Sequence, residues 1–119
     1  METIIYHNPR CSKSRETLAL LVARQIPHRC VEYLKQPPDR TTLQTLLRAL
    51  GLPLREMVRR QESVYAELNL ADANDDALLN ALCAHPVLLE RPIVVHGEHA
   101  RIGRPPANVL SLFAESGTP

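Results

Sequence analysis

The feature that most constrains the fold of this chain is a strand, a helix and a second strand within its first 34 residues. Thr3–Tyr6 has the β-branched and aromatic content of a buried strand. Ser12–Arg24 has the pattern of a helix with Leu18, Ala19, Leu21 and Val22 on its buried face, and His28–Leu34 supplies the second strand. Two such strands joined by a helix pair in parallel with a right-handed crossover. We therefore expect an α/β fold that opens with a β-α-β unit.

The middle of the chain is predicted to be helical. Asp39 is a candidate N-cap, and the leucines after it repeat at helical spacing up to Gly51, a candidate C-cap. Short helices joined by turns follow, and a further helix starts at Asn74 and stops before Pro86. The sequence thus predicts a helical insertion at about residues 39–86.

Two short strands and a last helix follow this insertion. Pro92–His96 and Ala100–Ile102 have strand composition and are separated by a connection of hairpin length, and Pro105-Pro106 opens the final helix. The order β-α-β, helices, β-β-α implies a small mixed sheet with helices on its faces. Because the 119 residues contain neither a repeat nor a linker, we expect one domain over residues 1–119.

Cys11 stands where the first predicted helix begins. The free N–H groups and the dipole of a helix N-terminus present partial positive charge, which lowers the pKa of a thiol and attracts an oxyanion. Further cationic candidates surround it in the sequence, namely His7, Arg10, Lys13 and Arg15. Cys11 is therefore predicted to be a reactive thiolate.

The other cysteines indicate a reducing compartment. Cys11, Cys30 and Cys83 make an odd and widely spaced set, which does not suit a secreted disulfide framework. Cys30 and Cys83 lie in apolar segments and are predicted to be small core residues. No segment approaches the roughly 18 apolar residues of a membrane span, and no basic leader opens the sequence. We expect a cytoplasmic protein with no membrane partner.

Neither nucleic acid nor a metal ion is an expected partner. The net charge is +1, and Glu56 and Glu62 offset the basic cluster of Arg55, Arg59 and Arg60. Without the resemblance described below, Arg59 and Arg60 are each interpreted as solvated surface charges. Four side chains could be drawn as zinc ligands: Cys83, His85, His96 and His99. The cysteine is predicted to lie in the core and the last two histidines on a turn, so no metal site is expected.

Five segments, taken in order and spacing, resemble the glutaredoxin-coupled arsenate reductase family. They are His7–Arg15, Tyr33–Pro38, Leu54–Arg59, Glu90–Val95 and Arg101–Pro106. The resemblance implies a thioredoxin-like fold with a helical insertion between its two halves. It also implies that arsenate is reduced to arsenite at the expense of glutathione and glutaredoxin, and that the substrate bound is arsenate or a similar oxyanion.

The resemblance assigns the nucleophile to Cys11 and the support of its thiolate to His7 and Ser14. His7 could give this support as a cation and Ser14 as a hydroxyl donor. Cys11 would displace an arsenate oxygen, glutathione would attack the adduct, and glutaredoxin would resolve the mixed disulfide. Because position 14 is serine, Cys-x-x-Ser cannot close a disulfide within the motif. Glutathione is thus expected as a co-substrate, with no bound cofactor.

The same resemblance assigns oxyanion binding to Arg59, Arg91 and Arg104. Arginine suits this role because its planar fork donates paired hydrogen bonds to tetrahedral oxyanions and stays charged at any working pH. In thioredoxin-like proteins the proline at the position of Pro92 is typically cis and faces the cysteine, so a cis Arg91–Pro92 bond is expected.

Two other functions remain open at this point. Arg10 and Lys13 stand where characterised members of the family can carry small residues, so the native oxidant could differ from arsenate. One alternative is a glutathione-dependent thiol/disulfide oxidoreductase acting on another substrate. The other is a non-enzymatic thioredoxin-like transcription regulator that binds RNA polymerase. Ser14 lacks the second thiol of such a redox switch, which favours an enzyme.

Overall fold

The computed structural model describes residues 1–114, which form two compact units. The first unit contains Met1–Tyr33 and the C-terminal part from Arg91 onward, and the second contains Leu34–Glu90. The second unit corresponds to the predicted helical insertion and extends a few residues beyond the expected 39–86 at each end.

The first unit is built on a four-stranded sheet in the order β2-β1-β3-β4. Its strands are β1 (Thr3–His7), β2 (Arg29–Glu32), β3 (Ile93–His96) and β4 (His99–Ile102). β1 pairs in parallel with β2, with Ile5 opposite Cys30, and antiparallel with β3, with Ile5 opposite Val94. The predicted mixed sheet and β-α-β opening are confirmed. β2 is shorter than the expected 28–34.

Helix α1 (Ser12–Ala23) connects β1 to β2. The predicted buried face is correct for Leu21 and for Leu18, which packs against the core, but wrong for Ala19 and Val22. The buried residues of α1 are Ser14, Thr17 and Leu21, whereas Ala19 is exposed and Val22 is 61% exposed. Two of the buried side chains are small and carry hydroxyl groups. Thr17 Oγ1 donates to the carbonyl of Lys13 at 2.8 Å, which allows it to be buried without an unpaired hydroxyl.

The core of the first unit lies between the sheet and the helical segments. Ile5, Leu21, Val94, Val109 and Leu112 form a buried cluster. The last two come from the C-terminal segment, where a 3-10 turn at Pro106–Leu110 leads into α5 (Ser111–Ala114) in place of the single predicted helix. Gly103, before this segment, packs so closely that an added Cβ would lie 2.6 Å from Thr17 Oγ1 and 2.8 Å from Pro92 Cγ.

The second unit contains three α-helices and three 3-10 turns. The helices are α2 (Arg40–Leu50), α3 (Ser63–Glu67) and α4 (Asp75–Ala84), and the turns are Leu54–Met57, Leu70–Asp72 and Pro86–Leu88. The predicted caps are confirmed for two helices. Asp39 and Asn74 each accept a backbone N–H through the side chain, at 2.8 and 2.9 Å, and Gly51 ends α2 with φ of 65°. Leu43, Leu46 and Leu50 are the buried residues of α2.

The prediction that Cys30 and Cys83 are core residues is wrong. Cys30 is exposed because β2 is an edge strand, and Cys83 is only half-buried because α4 turns Leu78, Leu79 and Leu82 inward instead. Burial of part of the side chain and the nearby Glu32 carboxylate raise the pKa of the Cys30 thiol. Cys30 is therefore a poorer nucleophile at neutral pH than an ordinary cysteine.

Within residues 1–114, every helix is too short or too polar to cross a membrane.

Candidate active site

Cys11 lies in the loop between β1 and α1, at the N-cap position of the helix. Its backbone is extended, with φ −94° and ψ 124°, and its N–H donates to the carbonyl of Asn8 at 3.0 Å. Its own carbonyl accepts the first helical hydrogen bond, from Arg15 N–H at 3.0 Å. These bonds hold the half-buried thiol at the positive end of the helix dipole.

The pKa of Cys11 lies below the ordinary value of a thiol. Burial alone would raise this pKa, but interactions with the backbone N–H of Ser14, the Arg91 guanidinium, the backbone N–H of Lys13 and the Arg104 guanidinium lower it, and their sum prevails. The helix start thus acts as predicted. The two charged groups that lower this pKa, Arg91 and Arg104, are distant from Cys11 in sequence. Cys11 is therefore predisposed to be a thiolate.

Ser14 acts on Cys11 through its backbone N–H, whereas the expectation was a hydrogen bond from its hydroxyl. Its side chain is fully buried, and its hydroxyl accepts the Asn8 N–H at 3.0 Å and lies 2.6 Å from Nδ1 of His7. The hydroxyl is thus engaged by His7 and Asn8, and it is the backbone N–H of Ser14 that lowers the pKa of Cys11. The serine hydroxyl acts on the loop before the cysteine, which it ties to α1.

The direction of the His7 pKa shift argues against a cationic role for His7. Burial lowers the pKa of His7, a nearby Glu32 raises it, and Arg15 lowers it further, so that the net shift is downward. A neutral imidazole fits the contact with Ser14, because the hydroxyl can accept from Asn8 and donate its own proton to Nδ1. His7 is thus a buried neutral residue that fixes the end of β1.

Arg91 and Arg104 belong to the same unit as Cys11 and are both followed by proline. The Arg91–Pro92 bond is cis, as the resemblance implies, and the Arg104–Pro105 bond is also cis, which was not predicted. Arg104 Nη1 donates to the carbonyl of Arg91 at 3.4 Å. Because both guanidinium groups lower the pKa of Cys11, the fold brings these two arginines and the thiol together.

Arg59 lies in the second unit, just after the 3-10 turn at Leu54–Met57. Its N–H donates to the carbonyl of Leu88 at 2.7 Å, and Nη2 lies 2.9 Å from Glu62 Oε2. The Arg59 side chain is only 18% exposed. Arg59 is therefore a largely buried and ion-paired residue, and the alternative interpretation as a solvated surface charge does not hold.

The neighbouring basic residues are engaged within the second unit. The Arg55 guanidinium donates to Tyr65 OH at 3.1 Å, to the Leu70 carbonyl at 2.9 Å and to the Ala73 carbonyl. Sequence reasoning missed this structural role because a lone arginine gives no signal of distant carbonyl partners. Arg60 lies on the surface and pairs with Glu56. The apparent basic cluster thus contains a half-buried arginine that bridges distant carbonyls, Arg55, and a surface ion pair.

The histidines considered as zinc ligands have other contacts. His96 Nδ1 lies 2.8 Å from Thr3 Oγ1, and its ring packs against Phe113 with centroids 4.8 Å apart. Among residues 1–114, no group of three or more His, Cys, Asp or Glu side chains is placed to hold a metal ion.

A mixed sheet, a cysteine at the N-terminus of the first helix and a cis-proline directly before β3 define a thioredoxin-like protein. More narrowly, the chain belongs to the ArsC family, whose model matches residues 6–112. The solved structure of an arsenate reductase from Vibrio cholerae matches with a TM-score of 0.92 at 50% identity, covering 95% of this chain and 98% of that one.

Two relatives are similar over nearly their whole length. The uncharacterized protein YfgD of Escherichia coli strain K12 is 52% identical over 111 residues, which cover 91% of this chain and 93% of that protein. An arsenate reductase of Neisseria meningitidis serogroup A is 48% identical over 115 residues, which cover 94% of this chain and 98% of that enzyme.

Proposed function

We propose that this protein is a cytoplasmic arsenate reductase that uses Cys11 as its nucleophile and glutathione and glutaredoxin as the source of electrons. The observation that carries the proposal is the low pKa of Cys11 beside Arg91 and Arg104. A thiolate is needed to attack arsenic, and the arginines offset the repulsion between that thiolate and an anionic substrate. Membership of the ArsC family and the names of the relatives from Neisseria and Vibrio supply the substrate.

The reaction begins with attack of the Cys11 thiolate on arsenic(V). A sulfur–arsenic bond forms, and one arsenate oxygen leaves as water after protonation. A glutathione thiolate then attacks the sulfur of this adduct, and the electron pair of the sulfur–arsenic bond stays on arsenic. Arsenic is thereby reduced to arsenic(III) and leaves as arsenite, while Cys11 is left in a mixed disulfide with glutathione. Glutaredoxin reduces that disulfide and restores the Cys11 thiol.

The serine at position 14 supports an external source of the second thiol. Ser14 is fully buried, and its hydroxyl bridges His7 and Asn8, so the motif contributes one sulfur only. Cys30 lies on an edge strand and has a raised pKa, which makes it a poor resolving thiol. A small thiol such as glutathione fulfils this step in the proposed cycle.

The proposal carries the binding of the oxyanion by Arg59, Arg91 and Arg104 over from the resemblance to the family. Arg91 and Arg104 are proposed to bind the anion that Cys11 attacks, and their lowering of the Cys11 pKa supports this role. Arg59 takes part by resemblance to the family, and its buried side chain supports a role other than solvation. Each arginine would contribute charge-assisted hydrogen bonds to an arsenate oxygen.

Arsenate-dependent oxidation of NADPH tests the proposal. The assay contains the protein, glutathione, glutaredoxin and glutathione reductase, and we expect NADPH to be consumed only when arsenate is present. Cys11→Ser should abolish the activity, whereas the matched variant Cys30→Ala should keep it. Failure of the folded protein to reduce arsenate, in an assay whose glutaredoxin reduces a control disulfide, would contradict the proposal.

A glutathione-dependent thiol/disulfide oxidoreductase is the second candidate, because a low-pKa thiol followed by serine can also attack a disulfide. The two candidates are separated when a glutathionylated peptide replaces arsenate and glutaredoxin, which itself reduces such peptides, is left out of the assay. Consumption of NADPH with the peptide, together with no consumption with arsenate, would favour this second function.

A further inference from the structure

The backbone around Arg59 is fixed on both sides. Val58 forms a β-bridge with Leu89, the Arg59 N–H donates to the Leu88 carbonyl at 2.7 Å, and the Glu90 N–H donates to the Met57 carbonyl at 2.8 Å. The base of the Arg59 side chain therefore has a defined position within the second unit. What remains to be set is the direction of the guanidinium group.

Glu62 sets that direction through a sheltered ion pair. Its Oε2 lies 2.9 Å from Nη2 of Arg59, and the two side chains are only 25% and 18% exposed. The neighbouring pair of Arg60 and Glu56 is longer, at 3.4 Å, and both of its side chains are more than half exposed. Shelter from water strengthens an ion pair, so the Arg59–Glu62 contact is the more rigid and the more strongly interacting of the two.

The buried Nε–H donor of the Arg59 guanidinium makes no hydrogen bond within residues 1–114, although buried N–H groups nearly always have a partner. Glu62 holds the other end of the group at Nη2. An arginine that is clamped at one nitrogen and has a buried free donor at another is arranged to receive an external acceptor, and an oxyanion oxygen fits this requirement.

We propose that Glu62 is a positioning residue that orients Arg59 and sets the charge of the oxyanion that Arg59 accepts. This inference rests on the proposed function in taking the substrate to be an oxyanion. Because the Glu62 carboxylate offsets the positive charge of Arg59, the pair offers hydrogen bonds with little net charge. The pair therefore favours a singly charged tetrahedral oxyanion over a doubly charged one, more than a free arginine would.

Glu62→Gln separates charge from orientation, because the amide oxygen can still accept from Arg59 while the carboxylate charge is lost. The probes are perchlorate and sulfate. Both anions are tetrahedral, but perchlorate carries one negative charge and sulfate carries two. Binding is measured by calorimetry and by the NMR signal of the Arg59 Nε–H. Because Coulomb energy doubles with the charge of the anion, we expect Glu62→Gln to tighten perchlorate binding about threefold and sulfate binding about tenfold.

Two further variants complete the test. Glu56→Gln removes the same unit of charge from the exposed pair, and it should leave both affinities within about twofold and the Arg59 signal unchanged. Glu62→Ala removes the acceptor as well, so the Arg59 Nε–H should exchange with water faster than in Glu62→Gln and sulfate should bind more weakly than to Glu62→Gln. The Glu62→Gln comparison stands by itself if the alanine variant does not fold.

Equal gains in sulfate affinity from Glu62→Gln and Glu56→Gln would overturn the inference, because only the net charge of the protein would then matter. Loss of sulfate binding in Glu62→Gln would also overturn it. The binding experiment involves no turnover, so it is independent of the arsenate assay. If the protein reduces arsenate but Glu62→Gln does not change its anion preference, only the role of Glu62 is refuted. If Glu62→Gln changes the anion preference as expected but the protein does not reduce arsenate, only the proposed reaction is refuted.

Discussion

Replacing Gly103 by alanine should destabilise the protein through a local steric conflict. The added Cβ would lie 2.6 Å from Thr17 Oγ1 and 2.8 Å from Pro92 Cγ, closer than real Cβ contacts allow. Neither neighbour can move easily, since Thr17 is fully buried and hydrogen-bonded to Lys13, and Pro92 accepts the Gly103 N–H through its carbonyl at 2.9 Å. Overpacking of a buried site costs about 1–3 kcal/mol, and we expect Gly103→Ala to lose this much.

Gly51 provides the matched control for the Gly103 substitution. A Cβ at Gly51 would meet no atom within 4 Å, but its φ of +65° is unfavourable for alanine. Gly51→Ala should therefore cost about 1–2 kcal/mol from backbone strain alone, and no second substitution should relieve it.

Urea denaturation of single and double variants measures the predicted steric coupling. Thr17→Ala removes the closest contact of the added methyl group, so the double variant of Gly103→Ala and Thr17→Ala should lose less stability than the sum of the two single losses, by about 1 kcal/mol. The same pairing of Thr17→Ala with Gly51→Ala should be additive. Wild-type stability of Gly103→Ala, or strict additivity with Thr17→Ala, would refute the reasoning.

Three further predictions follow from the contacts. The rate of Cys11 alkylation against pH should give a pKa below the ordinary value of a thiol, and Arg91→Gln should shift the profile to higher pH; an unchanged profile would exclude the electrostatic role of Arg91. Because burial lowers the pKa of His7 in the folded protein, its neutral form contributes stability above the unfolded pKa of about 6.5. That stability is lost as pH falls through the lowered pKa, so His7→Gln should flatten the dependence of urea-unfolding midpoints on pH in this acidic range; parallel curves would argue against it. Arg55→Met leaves two carbonyls without their donor and should cost about 2–4 kcal/mol in urea unfolding, whereas Arg60→Met should change stability by less than about 0.5 kcal/mol; equal effects would contradict the bridging role of Arg55.

Features set by neighbouring residues could be predicted from the sequence. The caps at Asp39, Gly51 and Asn74 depend on residues within one turn, and each is where the pattern indicated. The lowered pKa of Cys11 was anticipated for the same reason, since the helix N-terminus is a local feature. Cys11 could thus be selected as the candidate nucleophile before any tertiary contact was known.

Features set by residues distant in sequence could not be predicted. Cys30 is exposed because β3 takes the other side of β1 and leaves β2 at the edge, which no local pattern indicates. Ala19 and Val22 could not be recognised as exposed, because the small side chain of Thr17, and not a large apolar one, lies beside Gly103. The neutral state of His7 depends likewise on its burial, whereas the sequence shows only the cations around it.

The position of Arg91 and Arg104 near the end of the chain affects the protein while it is being made. Cys11 leaves the ribosome early, but both arginines and the strand that pairs with the far side of β1 follow the whole helical unit. At translation rates of about 5–20 residues per second, several seconds separate the cysteine from these partners. The thiol of a nascent or truncated chain therefore lacks the charges that lower its pKa, and it stays less reactive toward oxidants until the last strands are in place.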